Sequence, residues 1–297
     1  MAEYTYTAFG MYISSEIPLA LPEVSENTPK DWPVEIVRGK VPEYPHLAHA
    51  LGRIRYGRVG DAIVFDVPWA ARYSLEGDSR IVVDPIAGAK VEFPALYLTG
   101  LLLTVMLGAR GIVTLHGSAV AGSSGSLVFI GDKGAGKSTT AAAMTAHGYR
   151  ILCDDVIPIA TGPRVLPGIP LPKLLPDAYE RLIGDPQEAA HLFDGAGKYH
   201  ASLPAGTQAA ALRMIFLLEP SEEPVLRIES VKGGAKIRAI LENAISLEGI
   251  DDPMLLFTRA SERLASIPCF RVIRPTSGNC LDELVGAIIG LDRKGSL

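Results

Sequence analysis

Eight residues, Gly131 to Ser138 (GDKGAGKS), constrain this chain more than any other stretch, because they satisfy the pattern G-x(4)-G-K-[ST] in full. An apolar run, SLVFI, leads directly into Gly131, and a helix-forming run, STTAAAMTAHG, carries Ser138 forward to Gly148 as its stop. Glycines in such a turn let consecutive N–H groups converge on one anion at the positive end of the following helix. Gly131, Asp132, Lys133, Gly134, Ala135, Gly136, Lys137, Ser138 and Thr139 are therefore the expected phosphate-binding set. Within it Lys137 can reach the β- and γ-phosphates of a nucleotide, and the Ser138 hydroxyl can ligate Mg²⁺. A glycine-rich strand-to-helix turn that binds nothing is the bland alternative, and the strand and helix on the correct sides weigh against it.

Two further features cluster around this loop. The apolar run ILCDD ends on Asp154 and Asp155, sixteen residues after Ser138. Adjacent strand residues point to opposite faces, so one carboxylate can hold Mg²⁺ while the other faces an acceptor hydroxyl. A DD pair alone is more often a turn or a helix cap, and its position after the loop reverses that weighting. His116 is placed by register: if GSSG is a hairpin loop, Ala121 pairs with Ser126 and His116 comes opposite Gly131. The strand entering the loop then has an antiparallel neighbour, which ordinary parallel phosphate-loop folds lack.

With those residues in view, LHGSAVAGSSGSLVFIGDKGAGKSTTAAAMTAHGYRILCDDV resembles the core of the HPr serine kinase/phosphorylase family, itself related in fold to phosphoenolpyruvate carboxykinase. The resemblance covers about Leu115 to Val156. It implies ATP and Mg²⁺ as cofactors, Asp154 as general base on an acceptor serine with His116 as its electrostatic partner, Lys137 as phosphate clamp, and Ser138 with Asp155 at the metal. The family's glycine-rich signature with an acidic residue, expected after the DD strand, has no counterpart in VLPGIPLPKLLPDAYERLIG. HPr itself as substrate, and the phosphorylase half-reaction, lose their ground there. The chain looks more like the HPr-kinase-like proteins of lasso-peptide biosynthesis, on the segments Pro167 to Asp177 and Lys198 to Pro204. That implies a precursor peptide phosphorylated on a serine, with its C-terminal Ser as the acceptor. A C-terminal carboxylate beside the acceptor calls for cations, and Lys173, Arg181 and Lys198 are the candidates.

The remaining sequence sets the frame. Up to about Gly88 short alternating stretches such as VEIVRG, AIVFDV and SRIVVDP read as antiparallel strands. The apolar segment Ala95 to Ala109 follows Pro94 and is too short for a spanning helix, so a buried core helix is expected. The expected fold class is α/β, a mixed sheet around an HPr kinase/PEP-carboxykinase-like phosphate-loop core. A β-rich N-terminal domain (1–93) precedes a kinase domain (94–297). A net charge of -5 without a basic cluster excludes a nucleic-acid partner, and no membrane partner is expected. Three scattered cysteines form neither a disulfide framework nor a zinc pattern, and MAEYTYTAFGMYISS lacks the basic start and apolar run of a signal peptide, so a cytoplasmic protein is expected. The hexamers of HPr kinases leave a homo-oligomer open. An HPr-type serine kinase, a nucleotide-sensing NTPase regulator and an anion-binding module are the competing readings.

Overall fold

The computed structural model describes residues 3–25, 28, 30–90, 92–185, 197–276 and 280–295. By contact the chain divides into two units: Met1–Thr114 with Ile245–Leu256, and Leu115–Ala244 with Phe257–Leu297. The first unit thus runs past residue 93, where the sequence pattern puts the domain boundary, and takes in a later segment.

In the first unit the short alternating stretches become eight strands, β1 (Tyr4–Ala8), β2 (Met11–Ser15), β3 (Val34–Arg38), β4 (His49–Leu51), β5 (Ile54–Val59), β6 (Ala62–Val67), β7 (Ala71–Glu76) and β8 (Arg80–Pro85). They form one sheet in the order β1-β2-β3-β8-β7-β6-β5-β4. The pairings β2–β3 and β3–β8 are parallel and the rest antiparallel, so the all-antiparallel reading holds only in part. Alternation does its expected work: every second residue of β2 and of β7 is buried. The apolar segment after Pro94 is helical, as α1 (Glu92–Tyr97), a π turn (Leu98–Leu102) and α2 (Leu103–Ala109). Glu92–Ala109 is long and apolar enough to cross a membrane by length and composition. Leu98, Leu102, Leu103, Met106 and Leu107 are nevertheless fully buried inside the protein. Trp69 donates its indole N–H to Tyr97 and Tyr73 its hydroxyl to the Pro94 carbonyl, which ties strand residues to this helix.

The second unit is a mixed α/β arrangement. Its strands are β9 (Val113–Gly122, whose first two residues belong to the first unit), β10 (Gly125–Ile130), β11 (Arg150–Ala160), β12 (Arg164–Val165), β13 (Lys173–Leu174), β14 (Tyr199–His200), β15 (Ala210–Ser221), β16 (Arg227–Val231) and β17 (Cys269–Pro275). Its helices are α3 (Lys137–Met144), α4 (Pro176–Leu182), α5 (Gly233–Glu242), α6 (Pro253–Leu264, whose start belongs to the first unit) and α7 (Leu281–Lys294). Seven strands run in the order β10-β9-β11-β12-β15-β17-β16, and β15 also pairs with β10, so five of them close into a circuit. The β10–β15 and β15–β17 pairs are parallel, and Phe129, Phe216 and Phe270 sit in register across them with ring centroids 5.7 and 5.6 Å apart. Stacked aromatics on three neighbouring strands make a flat apolar floor. Ala141 and Met144 of α3 and Leu284, Val285 and Ile288 of α7 belong to the same buried cluster.

Candidate functional site

The hairpin of β9 and β10 has the expected register, with Ala121 opposite Ser126 and the last ladder pair Gly117 opposite Ile130. The next residues in that count are His116 and Gly131. Beyond Ile130 the chain turns through residues 131–136 into α3, as the glycine loop requires. Gly131, Gly134 and Gly136 take φ of 136°, 86° and 93°, values that L side chains rarely adopt. A Cβ on Gly131 would also stand 2.4 Å from the Leu218 carbonyl oxygen.

Only some of the loop's amides are taken up by the protein's own acceptors. Gly131 N–H donates to Asn243 Oδ1, Ala135 N–H to the Asp132 carbonyl and Thr140 N–H to the Gly136 carbonyl. The N–H groups of Lys133, Gly134, Gly136, Lys137 and Ser138 donate to no acceptor among the described residues. Such a nest of amides at a helix N-terminus suits an anion. The loop's carbonyls are held from the other side by Arg274 at the end of β17, whose Nε donates to Ala135 O at 2.8 Å and whose second guanidinium nitrogen lies 3.4 Å from Gly134 O. Lys137, 8% exposed, turns its ammonium back onto the carbonyls of Gly131 (2.8 Å) and Asp132 (3.0 Å). Burial lowers its pKa against the opposing pull of Asp154 and Asp155.

The two aspartates fall in the middle of β11 rather than at a strand end. Asp155 has φ of 65°, a left-handed conformation inside a strand that re-aims the chain as a bulge does. The two carboxylates have different partners. Asp154, 5% exposed, accepts from Ser118 Oγ at 2.5 Å, from Ser138 Oγ at 3.1 Å and from the Lys173 backbone N–H at 3.2 Å. Burial, then the charge of Asp155, raises its pKa to about 6. Asp155 ion-pairs with Lys173 Nζ at 2.5 Å. Its own burial pushes the carboxyl up, but the Lys173 ammonium and His116 bring it below the usual carboxylate range. His116 Nδ1 lies 3.1 Å from the Asp155 carbonyl oxygen, and burial followed by the Lys137 charge lowers the imidazole pKa.

Two groups of residues therefore stand side by side: Ser138, Asp154 and Ser118 in one, Asp155, His116 and Lys173 in the other. The hydrogen bond of Ser138 goes to Asp154, whereas the resemblance pairs it with Asp155; and it is Asp155, not Asp154, that adjoins His116. Among the candidate cations, Lys173 is in the site and Lys198 acts electrostatically on His116, Lys137 and Asp155. Arg181 on α4 instead pairs with exposed Asp282 at 3.1 Å. Gly195 and Ala196, the start of the polar segment around Lys198, lie outside the described residues. Ser118, Asn243 and Arg274 were missed by sequence reasoning. Ser118 had a signal, because it lies on the same strand face as His116, two residues on.

No protein-family model matches the chain, and no curated protein matches it. Among solved structures, the HPr(Ser) kinase/phosphatase from Coxiella burnetii aligns with 61% of this chain and 97% of its own at 14% identity, with a TM-score of 0.32. A likeness that slight carries no argument, so what stands is the mixed α/β unit itself, with its glycine loop between β10 and α3 and the carboxylates of β11 beside it.

Proposed function

We propose that this protein is an ATP-dependent kinase that transfers a phosphoryl group to a serine hydroxyl of a peptide or small protein. The observation that carries this reading is the 3.1 Å hydrogen bond from Ser138, the last residue of the glycine loop, to the buried carboxylate of Asp154. A turn that only joined a strand to a helix would gain nothing from a carboxylate buried against its last hydroxyl, since burying that charge opposes folding.

The residues fit the groups they would hold. The loop amides without an acceptor among the described residues suit the phosphates, and Lys137 can exchange two loop carbonyls for phosphate oxygens. Among the described residues no group of three or more His, Cys, Asp or Glu forms a metal cage. Mg²⁺ does not need one: one or two carboxylates plus substrate phosphates and waters suffice, and Ser138 with Asp154 supply oxygen ligands. Bound there, Mg²⁺ would neutralise charge on the phosphate oxygens. We give the acceptor's proton to Asp155, whose carboxylate is less buried than that of Asp154 and is not engaged by the Ser138 hydroxyl. As the serine Oγ forms its bond to the γ-phosphorus, the bond to the β,γ-bridging oxygen breaks, the proton passes to the carboxylate and ADP leaves. Lys173 and Lys198 would meet an anionic group of the acceptor, in keeping with the C-terminal serine of a lasso-peptide precursor that the resemblance implies. A cytoplasmic location and an oligomeric assembly belong to the same reading.

Mass spectrometry of peptides ending in Ser or in Ala, incubated with ATP·Mg²⁺, tests it. One phosphoryl group on the Ser peptide alone is expected, with Lys137→Ala slowing transfer about 100-fold or more. ATP hydrolysis that ignores every hydroxyl acceptor would instead make the protein a nucleotide-sensing NTPase. For the division of labour, Asp155→Asn is expected to lower turnover about 10²- to 10⁴-fold while ATP·Mg²⁺ binds within about 3-fold of normal. Equal loss of binding and turnover would return the proton to Asp154.

A further inference from the structure

The β9–β10 ladder stops one pair short of the loop, and the residues that would have formed the next pair, His116 and Gly131, both donate to Asn243 instead. His116 N–H reaches the Asn243 main-chain carbonyl at 2.8 Å, and Gly131 N–H reaches its side-chain oxygen at 2.9 Å. We propose that Asn243 is a positioning residue that parts β9 from β10 at the mouth of the loop, fixing the start of the phosphate loop and His116 relative to each other. The inference rests on the reading of this loop as a nucleotide site.

Every polar group of this residue is engaged. Its N–H donates to Ile240 O at 3.1 Å and its side-chain amide to Ala239 O at 2.9 Å, both in the last turn of α5. Turning the amide over would set NH₂ against the Gly131 N–H and its oxygen against the Ala239 carbonyl, so the network allows one orientation. The residue ends α5, at φ -103° and ψ 3°, and the chain beyond it immediately pairs Ala244 with Leu115. The upper end of β9 thus changes partner, from β10 to the segment after α5, at Asn243. Without that exchange the ladder could continue to His116 and Gly131, and Gly131 would be drawn into the sheet when it must turn out of it. Asp could accept from Gly131 but has no proton for Ala239, and Ser or Thr would have to serve both partners from one hydroxyl oxygen, whereas the amide uses two separate atoms.

The test combines amide exchange, binding and melting on the full chain. In Asn243→Ala the Gly131 amide is expected to exchange at least about 10-fold faster, while the His116 amide, held by a main-chain carbonyl, stays protected. ATP·Mg²⁺, titrated calorimetrically, should bind about 2- to 10-fold more weakly, the loss of one hydrogen bond. A residue that served the fold alone would lower the melting temperature and leave nucleotide affinity unchanged, and that result overturns the inference while sparing the nucleotide site. Absence of ATP·Mg²⁺ binding by the unaltered protein would overturn both. If Asn243→Ala does not fold, Asn243→Asp, which keeps an oxygen for Gly131 and replaces the donor to Ala239 by a charged oxygen, should retain Gly131 protection; rapid exchange there would also overturn the inference.

Discussion

Asp154 is the most costly side chain in the site. Its pKa of about 6 stands above the ordinary 3.8 because burial, then Asp155, disfavours the charge. The folded protein therefore keeps a proton that the unfolded chain releases. The stability this carboxyl contributes is full below about pH 4 and is lost as pH rises through about 6. The difference amounts to about 3 kcal/mol, a large part of a typical domain's stability. Asp154→Asn, neutral throughout, is expected to melt above the unaltered protein at pH 8 in magnesium-free buffer, with the gap narrowing below about pH 6 and closing below about pH 4; a gap independent of pH would contradict the raised pKa. The two aspartates themselves stand out in the sequence by their place after the loop. Their partners do not, because a left-handed φ at a non-glycine residue inside a strand leaves no mark in the sequence. Asn243 was hidden for another reason: its role depends on where α5 ends, 112 residues from the Gly131 it holds.

At the level of elements, the hairpin and the loop explain each other. Gly131 has to leave the ladder with φ of 136° at a place where a Cβ would stand 2.4 Å from Leu218 O. Gly134, at φ 86°, has open space around its would-be Cβ. Gly131→Ala should therefore destabilise by more than Gly134→Ala, whose cost is confined to the left-handed strain of about 1–2 kcal/mol. Urea unfolding of the two variants measures the difference, and equal midpoints would mean that the contact with β15 relaxes freely. Register was legible here because two-residue periodicity and a short turn leave few alternatives. Strand partners beyond the hairpin were not. That β15 pairs with β10 in parallel follows from non-local packing, which the in-register phenylalanines express but do not announce. Likewise the Pro- and Gly-rich stretch 163–176 reads as loop, and only its ends at Arg164–Val165 and Lys173–Leu174 find short strand partners.

For the whole molecule, the sequence reading of a β-rich beginning followed by an α/β remainder describes the elements well and their grouping less well. A boundary at residue 93 cuts the first unit inside α1, separating Tyr73 from the Pro94 carbonyl and Trp69 from Tyr97. It also omits residues 245–256, where Ile250 O accepts from Arg58. A fragment ending at residue 93 is expected to lack cooperative thermal unfolding by circular dichroism; a sharp transition would show that these later residues are dispensable. The chain passes between its units three times, at Thr114–Leu115, Ala244–Ile245 and Leu256–Phe257. That connectivity sets a schedule on the ribosome. Residues 115–256, 142 in number, must still be made after Thr114 before the first unit has all its parts. At about 5–20 residues per second that is roughly 7–30 s. Of the two units, the one whose synthesis starts earlier thus cannot be completed until most of the other has been made.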